Sequence, residues 1–422
     1  HGLPIELNVE KKYGKAKKDL SIDEFRLRCR DYANQQIAIQ KKDFIRLGVL
    51  GDWENPYKSM DFEFEANIVR ALGKVIEAGH LSRGFKPVYS CENCLSALAE
   101  AEVEYIEKES YAIDFLFPVD SKLLDKVFNL KLKFECYVAS WTTTPWTIPA
   151  NKAISVNPDL EYELIKIEVN KRELVLVVAS NLKDQTLERY AVTKYNFLGK
   201  SLGKKLEGII CKHPLLDQES PIILGSHVTD EMGTGLVHTA PAHGLEDYEA
   251  CKNHNFDSSS LVQADGKFAN DTPFVGGKNL EEANKIVIDE LNNLKLLFSK
   301  NKFRHSFPHC WRHKTPLFFR ATPQWFISMD KNKLLDDCLS KIEEINWLPD
   351  WGKSRINSMM SERPDWCISR QRHWGAPIPL FVNKTSGEIH KDTIKIIGNV
   401  ADDIEKNGAE SWFTSDPSKF LG

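Results

Sequence analysis

The sequence predicts an α/β protein in which a β-rich domain interrupts a more helical one. Helical patterns occupy the first 79 residues, strand patterns punctuated by Pro and Gly follow Glu109, and helices return from Asp330 onward. This order favours the insertion of one domain into another over a row of separate domains. The 422 residues allow two or three domains of roughly 100–200 residues each.

Capping signals place the principal helices. The capping-box pattern Ser21–Glu24 predicts a long helix that runs to about Leu47. Asp61 is the expected N-cap of a second helix. Asn279 with Glu282 has the same reciprocal pattern and predicts a third.

Two segments have strand patterns. Glu161–Val169 alternates apolar and polar residues, and Glu173–Ala179 is a β-branched run. The longest aliphatic run, Leu174–Ala179, is far short of the ~20 residues that a membrane helix needs. The chain does not open with the basic start and apolar stretch of a signal peptide. Because the first residue is not Met, we expect a piece of a longer protein.

Composition excludes several classes of protein. Hydrophobic residues make up 42% and charged residues 27%, which is typical of a soluble globular protein and excludes wholesale disorder, collagen and a disulfide-stapled miniprotein. The formal net charge of -4 makes no case for nucleic-acid binding by the whole surface. Basic residues crowd 300–320 and 353–372, where a solvated face is the simplest explanation. Nine scattered cysteines, an odd number, indicate a reducing cytoplasm.

Cys91-Glu92-Asn93-Cys94 is a CxxC pair that fits a redox pair, half of a zinc site or chance. A second half-site occurs at Cys310 and His313, which have the same spacing, and His309 competes with His313 as the fourth ligand. Three thiolates and one imidazole suit tetrahedral Zn²⁺, and a closed four-ligand site is structural rather than catalytic. Such a site would join the segments that leave and re-enter the inserted domain. The alternative is that these residues are merely packed or free.

The segment Trp141–Asn151 is the most unusual one. Three consecutive threonines, Thr142, Thr143 and Thr144, precede Pro145, and the residue before a Pro disfavours the helical region. Hydroxyls and amides on a Pro-bent strand form a donor-rich wall that suits a sugar or an ester. Taken alone, the segment is better explained as a Thr-rich edge strand.

The segment 233–248 predicts a strand, a Gly/Pro loop and an acidic helix start. His238 and His243 with Glu246 and Asp247 suggest a metal site, but the segment lacks HExxH and its helical spacing. An Asp near a helix N-terminus is also common. We favour a carboxylate that holds an ammonium group.

Two arginines and two tryptophans bracket a Gly-Pro bend in the segment 365–379, which contains Gln371 and Trp374. Aromatic and guanidinium planes suit contact with a nucleotide or an amino-acid side chain. A packed loop accounts for the same pattern.

Together these segments resemble the isoleucyl-tRNA synthetases, class I enzymes, over essentially the whole chain. Further segments carry the same resemblance: His1–Glu6, Leu47–Trp53, Asn55–Tyr57, Ser96–Tyr105 and Arg320–Phe326. Thr142–Thr147 stands where valyl and leucyl relatives carry a Thr-Thr-Arg-Pro-type sequence, which points to the isoleucine group. The first Cys pair resembles the bacterial branch.

The resemblance implies a Rossmann-type catalytic domain, incomplete here, interrupted by a β-rich, barrel-like editing domain with zinc-knuckle stems. The implied division is 1–48 for the catalytic domain, 49–105 for a stem with the first zinc half-site, 106–303 for the editing domain, 304–352 for the returning stem with the second half-site, and 353–422 for the catalytic domain again. The HIGH-type and KMSKS-type signatures, which bind ATP phosphates, do not occur in the chain. We therefore expect ATP and Mg²⁺ to serve the longer parent enzyme, and this chain alone not to form aminoacyl-adenylate.

The resemblance also implies an activity. One methylene in an apolar pocket is worth only ~1–3 kcal/mol of discrimination, and isoleucyl-tRNA synthetase is the usual example of this limit. The family ligates isoleucine to tRNA(Ile) with ATP and hydrolyses wrongly attached valine in a second, smaller site. The expected partners are the acceptor end of tRNA(Ile), valine and isoleucine, with no membrane, no DNA and a monomeric state in the cytoplasm.

The resemblance assigns roles to single residues of the editing site. Thr144 and Asn151 line the pocket, and Thr142 and Thr143 lie near the terminal adenosine and the attacking water.

Four further residues receive roles in the same way. His238 limits the size of the amino-acid side chain, so that isoleucine is excluded. Asp247 anchors the α-ammonium group. Gln371 and Trp374 belong to the synthetic pocket that recognises isoleucine and adenylate.

The sequence departs from the family pattern at Ala242, where Gly is usual, and at His313, where a fourth Cys is common. Two alternatives stay open: a zinc-stabilised RNA-binding or structural module without catalysis, and an editing domain for another aliphatic acyl-tRNA. Substitution of Asp247 tests the first, because a pure binder has no hydrolytic rate to lose. Substitution of His238 tests the second.

Overall fold

The chain divides into two compact units. A computed structural model describes residues 2–16, 18–169, 171–361, 363 and 365–421; His1, part of the first motif of the resemblance, lies outside the described residues. His1–Arg83 and Trp325–Gly422 form the first unit, and Gly84–Gln324 form the second. The second unit therefore interrupts the first along the chain.

Helices and strands are both abundant in the described residues, so the protein is mixed α/β. The α-helices, in chain order, are α1 (Gly2–Tyr13), α2 (Ile22–Arg46), α3 (Phe62–Glu77), α4 (Ser121–Phe128), α5 (Lys183–Arg189), α6 (Leu245–Cys251), α7 (Leu280–Asn293), α8 (Leu334–Glu344), α9 (Trp351–Ser361), α10 (Thr393–Asn407), α11 (Ser411–Thr414) and α12 (Ser418–Leu421). The strands are β1 (Leu81–Cys91), β2 (Ser96–Leu98), β3 (Val103–Val119), β4 (Glu135–Thr142), β5 (Ala153–Val156), β6 (Glu161–Val169), β7 (Arg172–Ala179), β8 (Tyr195–Leu202), β9 (Ile210–Lys212), β10 (Glu219–Leu224), β11 (Leu236–Thr239), β12 (Leu297–Cys310), β13 (Phe318–Ile327) and β14 (Trp366–Cys367). Within the described residues, no helix combines the length and apolarity needed to cross a membrane.

Three helices begin where the sequence predicts them, and two of these begin with a side-chain capping bond. The hydroxyl of Ser21 accepts the N–H of Glu24 at 3.4 Å at the start of α2. Asp61 is the N-cap of α3. At α7, the side chain of Asn279 accepts the N–H of Glu282 at 2.9 Å, and the carboxylate of Glu282 accepts the N–H of Asn279 at 3.1 Å. All three predicted helices are confirmed.

In the first unit, α3 packs closely against α10. Gly73 of α3 permits this approach, because a Cβ at that position would lie only 3.0 Å from Cγ2 of Ile397. A smaller core forms between α1 and α2 from Val9, Phe25 and Cys29. Strand β13 pairs antiparallel with β14 in this unit. A Rossmann-type arrangement of the unit stays a prediction.

The second unit is built on a ten-stranded sheet. Its strand order is β11-β5-β10-β9-β3-β4-β7-β6-β8, and β12 pairs with β3 outside this order. Strands β3 and β12 form a long antiparallel ribbon, from Phe115 opposite Leu297 to Val103 opposite Cys310. The expected barrel is wrong for the described residues, because no strand pairing joins the edge strands β11 and β8. Strand β11 has only four residues before its loop, and the first three residues of β8 are exposed.

The strand predictions hold in the centre of this sheet. Strand β6 covers Glu161–Val169 as predicted, and β7 begins one residue before the predicted Glu173. Leu174–Ala179 is buried throughout. Successive side chains of a strand point to opposite faces of the sheet, and all six are buried, so both faces of β7 are covered, which suits a continuous apolar run.

A buried ion pair ties the sheet to the turn that leads into β11. Asp114 of β3 is 1% exposed, and its two carboxylate oxygens accept hydrogen bonds from Nε and Nη2 of Arg189 at 2.9 and 2.7 Å. Nη2 of Arg189 also donates to the carbonyl of Gly233 at 2.9 Å. The hydroxyl of Tyr190 donates to the same carboxylate at 3.3 Å.

We expect Asp114→Asn to destabilise the protein by about 3 kcal/mol, because it leaves the Arg189 guanidinium largely buried without its counter-charge. Urea unfolding of the chain measures this loss. Glu161→Gln is the matched control: it breaks an ion pair with Lys200 whose side chains are both about half exposed, and such pairs contribute less than ~1 kcal/mol. Equal losses in the two variants would contradict the prediction.

Candidate functional sites

Four of the predicted site residues lie close together near the end of β4: Thr142, Thr144, Asn151 and His238. Thr142 is the last residue of β4, and a short 3-10 helix, Pro145–Ala150, begins two residues after Thr143 because Pro suits the first helical position. Asn151 follows this helix directly. His238 lies in β11, opposite Ile154 of β5, which places its ring next to Asn151.

Both ring nitrogens of His238 are hydrogen bonded inside the protein. Nδ2 of Asn151 lies 2.8 Å from Nδ1 of the ring, and the hydroxyl of Thr147 lies 2.8 Å from Nε2. Because Nδ2 of Asn151 can only donate, Nδ1 is the acceptor and Nε2 carries the proton. The Thr147 hydroxyl then donates to the carbonyl of Thr144 at 2.9 Å. Burial lowers the pKa of His238 to about 3, so the ring is neutral, in agreement with this single-proton arrangement.

Asn151 is itself fully buried and held in one orientation. Its Nδ2 donates to the carbonyl of Ala153 at 2.8 Å, and its Oδ1 accepts the hydroxyl of Ser220 at 2.6 Å. A carbonyl can only accept, so the amide cannot be flipped. The ring of His238 is therefore fixed from both sides, which gives this part of the site a rigid wall.

The three consecutive threonines take different positions. The hydroxyl of Thr142 accepts the backbone N–H of Thr144 at 3.1 Å and lies 3.3 Å from the hydroxyl of Thr144. Thr142 is buried, whereas Thr143 and Thr144 are half-buried. A half-buried hydroxyl retains hydrogen-bonding capacity for a ligand.

Asp247 lies in the first turn of α6, and one of its oxygens is already bound. Its Oδ2 accepts the backbone N–H of Ala240 at 2.8 Å. Ala240 follows His238 by two positions in the chain. Burial raises the pKa of Asp247 to about 6, against the opposing hydrogen bond from Ala240 and with a smaller contribution from Glu246. The group is still mostly ionised at neutral pH, and a cation is its natural partner.

His243 lies in the loop between β11 and α6, and in the described residues one of its ring nitrogens, Nε2, accepts no hydrogen bond. Its Nδ1 donates to the carbonyl of Phe319 at 2.9 Å, and burial lowers the pKa of the ring to about 4, so the ring is neutral. Its Nε2 is buried and has no hydrogen-bond partner within the described part of the chain. Such an acceptor can bind a water or a hydroxyl of a ligand.

A metal site at His238, His243, Glu246 and Asp247 finds no support in this geometry, because both nitrogens of His238 are already hydrogen bonded. The sequence did not predict Thr147 or Ser220 as parts of the site, and it suggested a metal-ligand role for His243.

Thr147 could have been predicted, because it lies in the unusual Thr/Pro segment. Ser220 is 69 residues from Asn151 in sequence and has no local signal.

The four predicted metal ligands of the second unit form a cluster. The ligand atoms of Cys91, Cys94, Cys310 and His313 all lie within 4.8 Å of one another, and no other such group occurs in the described residues. Sγ of Cys94 lies 3.8 Å from Sγ of Cys310, close to the ~3.8 Å edge of a tetrahedron with Zn–S bonds of about 2.3 Å. The cluster can therefore hold a metal ion and is compatible with zinc. His309 is turned away from it and bonds through Nδ1 to the carbonyl of Phe307.

The two halves of this cluster have the same backbone form. The residue after each second ligand has a left-handed φ, 53° at Leu95 and 55° at Lys314. The N–H of Leu95 donates to the carbonyl of Cys91 at 2.9 Å, and the N–H of Lys314 donates to the carbonyl of Cys310 at 2.8 Å. Left-handed φ is costly for these residue types, so its repetition indicates a local structure built around the ligands.

Gln371 and Trp374 belong to the first unit, whereas the other predicted site residues belong to the second. Gln371 is exposed and Trp374 is half-buried. The indole of Trp374 packs against the small core between α1 and α2.

Comparison with known proteins identifies the family. The family model described as tRNA synthetases class I (I, L, M and V) matches residues 1–422. The chain belongs to this family. It is 52% identical over 423 residues to the isoleucine–tRNA ligases of Francisella tularensis subsp. tularensis strain WY96-3418 and of F. tularensis subsp. holarctica strain FTNF002-00 / FTA. These matches cover 100% of this chain and 45% of each relative, so the chain spans about half the length of these class I synthetases.

Similar solved structures include the editing domains of cytosolic leucyl-tRNA synthetases from P. falciparum and P. knowlesi. The first is 12% identical with a TM-score of 0.35 and covers 45% of this chain and 99% of its own. The second is 13% identical with a TM-score of 0.36 and covers 47% of this chain and 97% of its own. Both TM-scores are below 0.5.

Proposed function

We propose that the second unit is an editing hydrolase that removes valine from Val-tRNA(Ile), within a piece of an isoleucyl-tRNA synthetase. The observation that carries the proposal is the Asp247 carboxylate, which is fixed through Oδ2 to the N–H of Ala240, two residues after the buried, neutral ring of His238. A carboxylate can hold the α-ammonium group of an aminoacyl ester, and a fixed ring can limit the size of its side chain. The 52% identity to isoleucine–tRNA ligases supports the choice of tRNA and amino acid.

The chemistry requires a positioned water and no metal in this site. Water attacks the ester carbonyl, the bond to the ribose oxygen breaks, and valine and free tRNA(Ile) leave. Thr143 and Thr144 offer hydroxyls for the terminal adenosine or the water, and Thr142 holds the backbone of Thr144. The lone pair on Nε2 of His243 is a further acceptor for a hydroxyl.

We propose that the longer parent protein ligates isoleucine to tRNA(Ile) with ATP and Mg²⁺. In this reaction, Gln371 and Trp374 of the first unit contact isoleucine and its adenylate. The Cys/His cluster of the second unit holds a structural Zn²⁺. The five-part domain division given by the resemblance belongs to the same proposal.

Deacylation of Val-tRNA(Ile) and Ile-tRNA(Ile) by the chain tests the editing proposal. We expect hydrolysis of the valyl ester well above the spontaneous rate and little hydrolysis of the isoleucyl ester. Binding of tRNA(Ile) without hydrolysis of either ester, or of a minimal acylated nucleoside, would support the module without catalysis instead.

We expect His238→Ala to relax the selectivity of this site. Removing the imidazole leaves room for the extra methylene of isoleucine, which is worth ~1–3 kcal/mol or roughly 10–200-fold. The kcat/KM for Ile-tRNA(Ile) should therefore rise at least about tenfold, while hydrolysis of Val-tRNA(Ile) continues. A folded variant that still rejects the isoleucyl ester would favour an editing domain for another aliphatic acyl-tRNA.

A further inference from the structure

Two buried charged side chains hold the peptide chain on both sides of Trp374. Oε1 of Glu6, in α1, accepts the N–H of His373 at 2.8 Å and that of Trp374 at 3.3 Å. Nη1 of Arg26, in α2, donates to the carbonyls of His373 at 2.6 Å and Gly375 at 2.9 Å. We propose that Glu6 and Arg26 are positioning residues, which fix Trp374 so that its indole can contact an aliphatic amino acid. This inference rests on the proposed role of Trp374 in the synthetic pocket.

The stability of the fold does not explain why Arg26 is there. Its side chain is fully buried, yet its contacts to Glu410 and Glu65 are long, at 3.4 and 3.9 Å. Its Nε and Nη2 have no hydrogen-bond partner among the described residues. An incompletely paired buried cation is often less stabilising than an apolar residue of the same volume. The well-made bonds of Arg26 are those to the two carbonyls that flank Trp374.

The same two helices also hold the indole ring. The guanidinium of Arg26 lies 5.4 Å from the ring centroid of Trp374, and that of Arg30 lies 5.5 Å from it. Gly2 of α1 lies beside the ring, because a Cβ there would be at an ordinary van der Waals distance of 3.9 Å from its Cδ1. The ring is still half-buried, so part of its surface is available to a ligand.

The hold extends along the segment toward Gln371. Oε2 of Glu6 accepts Nε of Arg372 at 2.7 Å, and Nη2 of Arg372 donates to Glu10 at 3.3 Å. Gly375 has a φ of 121°, a conformation that other residues rarely adopt, and in it the carbonyl of Gly375 accepts the bond from Arg26. Both proposed contacts of the synthetic pocket therefore lie on one clamped segment.

Hydrogen–deuterium exchange of the full chain, followed on a peptide that covers 371–376, tests the clamp without any ligand. The amides of His373 and Trp374 should exchange slowly in the unaltered chain. Glu6→Ala should speed their exchange at least about tenfold, and Glu6→Gln, which keeps an acceptor oxygen, should restore most of the protection. Arg28→Met is the matched control, because Arg28 is exposed on α2, where it forms an ion pair with Glu24 and lies over the ring of Tyr13.

Titration of the same proteins with isoleucine tests the function of the clamp. We expect Glu6→Ala to weaken isoleucine binding about tenfold, Glu6→Gln to restore most of it, and Arg28→Met to leave it unchanged. Unchanged exchange in Glu6→Ala overturns the clamp. Faster exchange with unchanged isoleucine binding overturns the positioning role. If exchange behaves as expected but the unaltered chain binds no isoleucine, the clamp stands and the proposed role of Trp374 falls.

Discussion

Asp247→Ala should lower the kcat/KM for deacylation of Val-tRNA(Ile) by this chain about 30-fold or more. Removing one partner of a close charge pair in a desolvated site costs about 2–5 kcal/mol, and each 1.36 kcal/mol is a factor of ten in rate. In the proposed function, this carboxylate binds the α-ammonium group of the misattached valine. Initial rates with Val-tRNA(Ile), corrected for spontaneous hydrolysis, give the effect.

Two further variants separate the charge of Asp247 from its structural bond to Ala240. Asp247→Asn keeps an oxygen that can accept the N–H of Ala240 but carries no charge, so it should be as inactive as Asp247→Ala while unfolding at the temperature of the unaltered chain. Glu246→Gln changes the neighbouring exposed carboxylate and should leave the rate at neutral pH unchanged. Full activity in Asp247→Asn would contradict the ammonium role.

The same carboxylate predicts a pH dependence. Burial raises the pKa of Asp247 to about 6, so the group loses its charge as the pH falls through that value. The kcat/KM for Val-tRNA(Ile), which reports groups of the free enzyme, should therefore fall about tenfold per pH unit below pH 6. Glu246→Gln removes a like charge and should move the midpoint to lower pH. A constant rate between pH 7.5 and 5 would show that Asp247 is not the titrating group.

Removal of zinc from the Cys/His cluster should lower the unfolding temperature of the chain by about 10 °C or more. Zinc contributes about 10–16 kcal/mol to the folding free energy of small zinc-finger peptides, whose whole fold depends on it. In this larger chain, a contribution of roughly 4 kcal/mol is enough to shift the unfolding temperature by this amount. The freshly purified, reduced chain should contain one zinc by elemental analysis. Cys310→Ser should lose both the metal and the added stability.

Matched variants identify the fourth ligand. His313→Ala should release zinc, whereas His309→Ala should retain it, because His309 bonds to the carbonyl of Phe307 instead. Cys338→Ser, which changes a cysteine of α8 outside the cluster, should behave as the unaltered chain does. A freshly purified chain that contains no zinc, and whose unfolding temperature is not lowered by a chelator, would mean that the four residues are only packed together.

Features that depend on neighbouring residues were predictable from the sequence. The N-cap at Ser21 and the capping box at Asn279 act over three residues, so their pattern alone places the starts of α2 and α7. The alternation of Glu161–Val169 and the β-branched run after it place β6 and β7 for the same reason. The Cys and His half-sites were also visible, because a metal knuckle needs two ligands at a fixed short spacing.

Only the tertiary structure decided features that depend on distant residues. The resemblance implied a barrel-like domain, but whether edge strands pair depends on the whole sheet, and in the described residues no strand pairing joins β11 and β8. The sequence left the fourth ligand open between His313 and His309, and only the tertiary structure shows that it is the His313 ring that lies next to the three cysteines.

The functional sites follow the same division. Residue types such as Thr, His and Asp next to Gly and Pro marked where chemistry could occur. The tautomer of His238 depends on Asn151 and Thr147, 87 and 91 residues away, and the clamp on Trp374 joins residues more than 340 positions apart. Local spacing carries no information about such contacts, because they exist only after the chain has folded and excluded water from them.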